Sequence, residues 1–147
     1  MRPVATVVFL VSIACSAMPP AQAAEYEEGQ VWSYATRPGE EGSTLHIVRI
    51  DREIAEATIF HIHLTGLRIR NTQTKGMVMS EIQHSPVGRE TLDASVIELV
   101  ATESSLPDIS EGYGQWRAAF DEGRAGWFTV PVREIVQFVE DVVNQQQ

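Results

Sequence analysis

The apolar residues of this chain change period once, and that change restricts its fold more than any other feature. Up to about residue 84 they alternate, as on strands with one buried face; from Leu92 onward they recur at three and four, as on helices. Halves segregated in this way favour an α+β domain over a βαβ alternation. Strands are expected over residues 30–36, 44–50, 57–65 and 77–84, the third with a continuation through 67–70. Arg37-Pro38-Gly39-Glu40-Glu41-Gly42 reads as a turn, because proline presets φ and glycine permits positive φ. Residues 51–56 read as a polar loop and 71–76 as a further turn.

Leu92, Val96, Leu99 and Val100 fall on one helical stripe, with Ser85-Pro86 as a candidate opening. A second helix over 112–122 carries Tyr113, Trp116 and Phe120 on one side and ends at Gly123. Residues 125–130 read as a strand. Beyond Pro131, the residues Val132, Ile135, Val136, Val139, Val142 and Val143 keep helical spacing, so this last helix should lie across a sheet face. The expected order is β-β-β-β-α-α-β-α, an antiparallel sheet of about four to five strands followed by helices packed on one face.

The N-terminus reads as an export signal. Arg2 is the lone side-chain charge before Glu25, an apolar run spans residues 4–13, and Ala21-Gln22-Ala23-Ala24 offers a small-residue cleavage site. The run is too short to cross a bilayer, which takes roughly 20 apolar residues. A signal over 1–24 leaves 25–147 as a single domain in the periplasm or outside the cell. Its loss removes Arg2 alone among the charged residues, taking the formal net charge from −9 to −10. That balance argues against nucleic acid as a partner, which demands a basic footprint. The sole cysteine, Cys15, lies inside the signal, so the released chain would carry no disulfide or thiol nucleophile. A lipid anchor on Cys15 is the competing reading; Ser12, where an aliphatic residue is usual, weighs against it.

The stretch Val31-Trp32-Ser33-Tyr34-Ala35-Thr36-Arg37-Pro38-Gly39-Glu40-Glu41 resembles the opening of a group of small exported bacterial proteins of no assigned activity. Gly112-Tyr113-Gly114-Gln115-Trp116-Arg117-Ala118-Ala119-Phe120 resembles a later stretch of the same group. The resemblance implies a compact bacterial domain and transfers no site residues.

The strongest candidate for chemistry is His61-Ile62-His63, whose two imidazoles share a strand face. Pairing Leu45 with Ile62 and Ile47 with Phe60 would set His46 opposite His61, so His46, His61 and His63 form a candidate set for a divalent transition metal such as zinc. Packing on a covered face, beside Val48, Ile50 and Ile59, is the plainer role for these rings. Strict alternation puts Glu81 and His84 on opposite faces of the fourth strand, so both should not join the set. Tyr113, Trp116 and Phe120, with Trp127 and Phe128, form either core or a stacking platform for a ligand. Arg68 and Arg70 share a face near Lys75 and could hold a carboxylate or phosphate, or merely protect an edge strand. Neither a nucleophile elbow nor a nucleotide phosphate loop is present.

These features favour an exported, non-enzymatic binding or accessory domain that meets a protein or small ligand, with Arg68, Arg70 and Trp127 as contact residues. A metal-binding protein or metal-dependent enzyme built on the histidines is one alternative. A periplasmic immunity-type inhibitor is another.

Overall fold

The computed structural model describes residues 24–145. The expected signal sequence up to residue 23, Cys15 included, lies outside the described residues. The fold is α+β. Its elements are β1 (Gln30–Tyr34), β2 (Thr44–Ile54), β3 (Ala57–Thr65), β4 (Ile69–Asn71), β5 (Met77–Met79), β6 (Ile82–Val87), α1 (Arg89–Asp93), β7 (Val96–Thr102), α2 (Ser110–Asp121) and α3 (Val132–Gln145). Five strands form one antiparallel sheet in the order β6-β3-β2-β1-β7, and β4 and β5 make a separate two-stranded ribbon.

β3 lies inside the sheet and is buried from Ile59 to Leu64. Its two faces do different things. Phe60, Ile62 and Leu64 join Leu45, Ile47 and Ile82 in the main core, closed by Val132, Ile135 and Val136 of α3. Full burial of each such aliphatic side chain contributes about 1.5–3 kcal/mol. His61 and His63 face the other way, where the Tyr113 and Trp116 rings of α2 lie 4.9 and 4.7 Å from the His61 ring. The sheet-then-helices architecture therefore holds, with the two long helices divided between the faces instead of gathered on one.

α3 starts at a helper from elsewhere in the chain. Pro131 gives up no donor there, and the Val132 N–H donates to the buried hydroxyl of Ser95 at 2.9 Å. Further along, Asn144 donates to the Arg70 carbonyl and accepts from Thr72, tying α3 to the β4–β5 ribbon.

Three local expectations are corrected. The helical stripe through Leu92 ends after the single turn of α1, and Val96–Thr102 is a strand paired with β1. Val96, Ile97, Val100 and Thr102 are β-branched, and β1 has a free edge whose N–H and C=O groups need partners. The expected fourth strand splits at Ser80-Glu81 into β5 and β6. Residues 125–130 form no strand; Phe128 makes one isolated bridge to Val87.

The register differs from the expected one as well. Leu45 faces Leu64, His46 faces His63 and Ile47 faces Ile62. Val48 is then an extra residue, so that Arg49 faces His61 and Ile50 faces Phe60. This bulge transfers Arg49 and Asp51 to the histidine face and Ile50 to the core face. A second bulge lies on the other side of β3: Ile62 pairs with Ser85 and Leu64 with Ile82, leaving Gln83 and His84 against the single residue His63.

Candidate functional site

Two pairs of histidines sit on the covered face of β3, each held by its own carboxylate. In the first, the Asp51 carboxylate collects three hydrogen bonds. Arg49 Nε donates to Oδ1 at 2.8 Å, and Tyr113 Oη donates to Oδ2 at 2.9 Å. His61 Nε2 lies 3.1 Å from the same Oδ2. Burial pushes the Asp51 carboxyl up, but the bonds from Arg49 and Tyr113 outweigh it and hold the group below its ordinary value. Asp51 is thus a carboxylate, and a carboxylate only accepts. His61 must carry its proton on Nε2.

His61 is fully buried, and that burial lowers its pKa despite the opposing pull of Asp51. The ring is neutral, so Nδ1 is an acceptor. His84 Nε2, 2.9 Å away, supplies the proton. Burial, and next the neighbouring His61, push His84 down to about 4, so it too is neutral near pH 7. By elimination its Nδ1 keeps a free lone pair. The chain from Arg49 through Asp51 and His61 therefore dictates which nitrogen of His84 is left to accept a proton or a hydrogen bond.

The His84 side chain stands between two clefts. His84 lines a cleft of about 840 Å³ between the β5–β6 segment and α2, with Val78, Met79, Gln115 and Trp116 also on its walls. It borders a smaller cleft of about 240 Å³ beside the start of α2 as well. Gly112 makes the approach possible: a Cβ there would lie 3.3 Å from His84 Nδ1 and 2.9 Å from His84 Cβ. Met77, Val78 and Met79 on β5 are exposed.

The second pair is His46 and His63, directly opposed on β2 and β3 with ring centres 5.9 Å apart. His63 Nε2 lies 3.1 Å from Glu81 Oε2, and His46 Nε2 lies 3.2 Å from the Thr44 hydroxyl. Both Nδ1 atoms are buried without a hydrogen-bond partner. Glu103 Oε2 lies 3.4 Å from His46 Nδ1, a charge contact whose direction does not make a hydrogen bond. Burial lowers the His46 pKa, with Glu103 pulling the other way.

The expected set of His46, His61 and His63 is therefore divided: His61 has both ring nitrogens engaged by Asp51 and His84. Among the described residues, no three His, Cys, Asp or Glu side chains are arranged to hold a metal ion. Glu81 and His84 do both reach the histidine face, against the expectation, because the β6 bulge breaks the alternation. Asp51, read as the start of a loop, is instead the anchor of the first pair.

Arg68 and Arg70 line a different groove of about 510 Å³, whose other walls include Arg37, Glu40 and Glu140. The Arg37 guanidinium pairs with both glutamates. Trp127 is half-buried against Phe120, while Phe128 turns to Phe138, so the two neighbours do part to opposite sides. Tyr113, Trp116 and Phe120 run as a continuous file of rings from His61 outward, with Trp116 buried.

Among the described residues, no helix is long and apolar enough to cross a membrane. No protein-family model, no curated protein and no solved structure matches the chain.

Proposed function

We propose that this is an exported accessory domain that binds a small amphipathic ligand in the cleft between the β5–β6 segment and α2. The observation that carries this reading is the hydrogen-bonded chain ending at His84. It leaves one unprotonated nitrogen on His84, a residue that lines the cleft. Such a nitrogen selects a ligand O–H or N–H. Val78, Met79 and Trp116 suit the apolar part of the same molecule. The export half of the reading rests on the N-terminal sequence pattern.

The test is a screen of neutral amphipathic alcohols and amides by NMR, followed at the His84 ring and the Trp116 indole. A binder that moves both signals, and binds at least about tenfold more weakly to His84→Ala, supports the proposal; a tenfold loss is about 1.4 kcal/mol, one hydrogen bond. Ligands that shift neither residue would remove it.

A second reading is favoured by the order Asp51–His61–His84. A histidine oriented by a carboxylate-bound partner can take a proton from a bound substrate as a general base. Turnover of any ligand found in the screen, abolished in His84→Ala, would move the protein from binder to catalyst.

A further inference from the structure

The histidine face holds a second feature that the cleft does not use. His63 is only 8 % exposed, and its Nδ1 has no partner; the same is true of the buried Nδ1 of His46 across the strand pair. A buried nitrogen without a partner costs about 1–3 kcal/mol, and here two occur side by side. Their opposite edges are not idle. Glu81 accepts from His63 Nε2, which fixes the proton there and leaves the Nδ1 lone pair free. The Thr44 hydroxyl lies 3.2 Å from His46 Nε2, a bond in which either atom can be the donor.

A histidine whose far nitrogen is held by a carboxylate or hydroxyl, with the near nitrogen bare, is the arrangement seen where imidazole ligates a metal. The spacing agrees. With metal–nitrogen bonds of roughly 2.0–2.1 Å, two rings sharing one ion have centres roughly 5–6 Å apart; these lie 5.9 Å apart. The two histidines and Glu103 do not form a three-ligand set as they stand; the half-exposed Glu103 carboxylate lies 3.4 Å from His46 Nδ1 and must move to become a third ligand. It is brought there by a close backbone approach. The Glu103 N–H donates to the Gly29 carbonyl, and a Cβ on Gly29 would stand 2.5 Å from the Glu103 carbonyl oxygen.

We propose that His46 and His63 bind one divalent transition-metal ion through their Nδ1 atoms, with Glu103 swinging in as third ligand and water completing the shell. Two imidazoles and a carboxylate select zinc or copper over calcium or magnesium. The ligands are distinct from His84, although Glu81, which holds His63 Nε2, also lines the His84 cleft.

The test uses the full-length exported protein, untagged and freed of metal, titrated with zinc chloride and with copper sulfate by calorimetry. One ion per chain is expected. Affinity should fall at least about tenfold in His46→Gln, His63→Gln and Glu103→Gln, and stay unchanged in His84→Gln. Zinc added to the unmodified protein should move the ring signals of His46 and His63 and spare those of His61 and His84, a reading that needs no variant to fold. Absence of uptake, uptake that survives loss of both histidines, or shifts centred on His61 and His84 would each overturn the proposal.

Discussion

The rings of His61 and His84 are nearly parallel, at 13°, with centres 5.1 Å apart. An in-line bond of 2.9 Å between Nδ1 and Nε2 itself requires about that separation, since each nitrogen lies about 1 Å from its ring centre. The contact is therefore edge-on, and proton position on one ring determines proton position on the other. Nitrogen NMR should find His84 protonated on Nε2 and bare on Nδ1 at neutral pH. In Asp51→Ala the buried His61 Nε2–H loses its acceptor. Stability should fall by about 1–3 kcal/mol in urea denaturation, and the His84 ring should become a mixture of tautomers.

Acid should weaken the fold in a defined window. His84 has its folded pKa pushed down to about 4 from the ordinary 6.5, and those of His61 and His46 are lowered too. The unfolded chain then binds more protons than the folded one between the two values, so stability is full above about 6.5 and is lost as pH falls toward 4. Below 4, Asp51 extends the loss, since its folded pKa lies under its ordinary 3.8. Urea midpoints measured from pH 7 to pH 3.5 should decline mainly below 6.5. His84→Gln should flatten the upper part of that decline.

Two glycines of α2 predict opposite outcomes for one substitution. Gly114→Ala meets nothing within 4 Å and should stabilise by about 1 kcal/mol through helix propensity alone. Gly112→Ala carries the same gain but sets its methyl 2.9 Å from His84 Cβ. Overpacking of that kind costs about 1–3 kcal/mol. Net destabilisation and displaced His84 signals are expected, and a stabilised Gly112→Ala would refute the close approach.

The β2–β3 hairpin turns through Ala55 and Glu56, between the paired Ile54 and Ala57, with φ of 48° and 62°. Two central residues at positive φ suit Asn-Gly, and a side chain there costs roughly 1–2 kcal/mol each. Ala55→Asn with Glu56→Gly should raise the thermal midpoint by several degrees and leave the histidine signals in place.

Much of this architecture was legible in the residues. β3 falls on the expected boundaries, and the valine spacing of α3 identifies both its existence and its buried side. Leu92 to Val100 misled because four apolar residues fit a helical stripe equally well on an edge strand. There Ile97, Leu99 and Val100 stay exposed, so burial imposes no two-residue pattern to read. His61 and His63 stood out as candidates, yet their partners did not. Asp51 and Arg49 reach the histidine face only through the extra residue Val48, and Glu81 joins His84 there only through the doubled position at Gln83. A bulge has no dependable signature in a single sequence, since any residue can be the one left unpaired.

Those two irregularities give β2 and β6 an unusual tolerance of shortening by one residue. Gln83 is exposed, and exchanging its side chain should leave the molecule almost untouched. Deleting it would restore an unbroken ladder in which Glu81 and His84, then two residues apart, still share the histidine face. Removing Val48 would in the same way keep Arg49 and Asp51 on the histidine face, now by plain alternation. Each bulge is thus a place where the strand can lose one residue without any side chain beyond it changing face. Relatives that keep this chemistry should therefore tolerate a one-residue gap at either site.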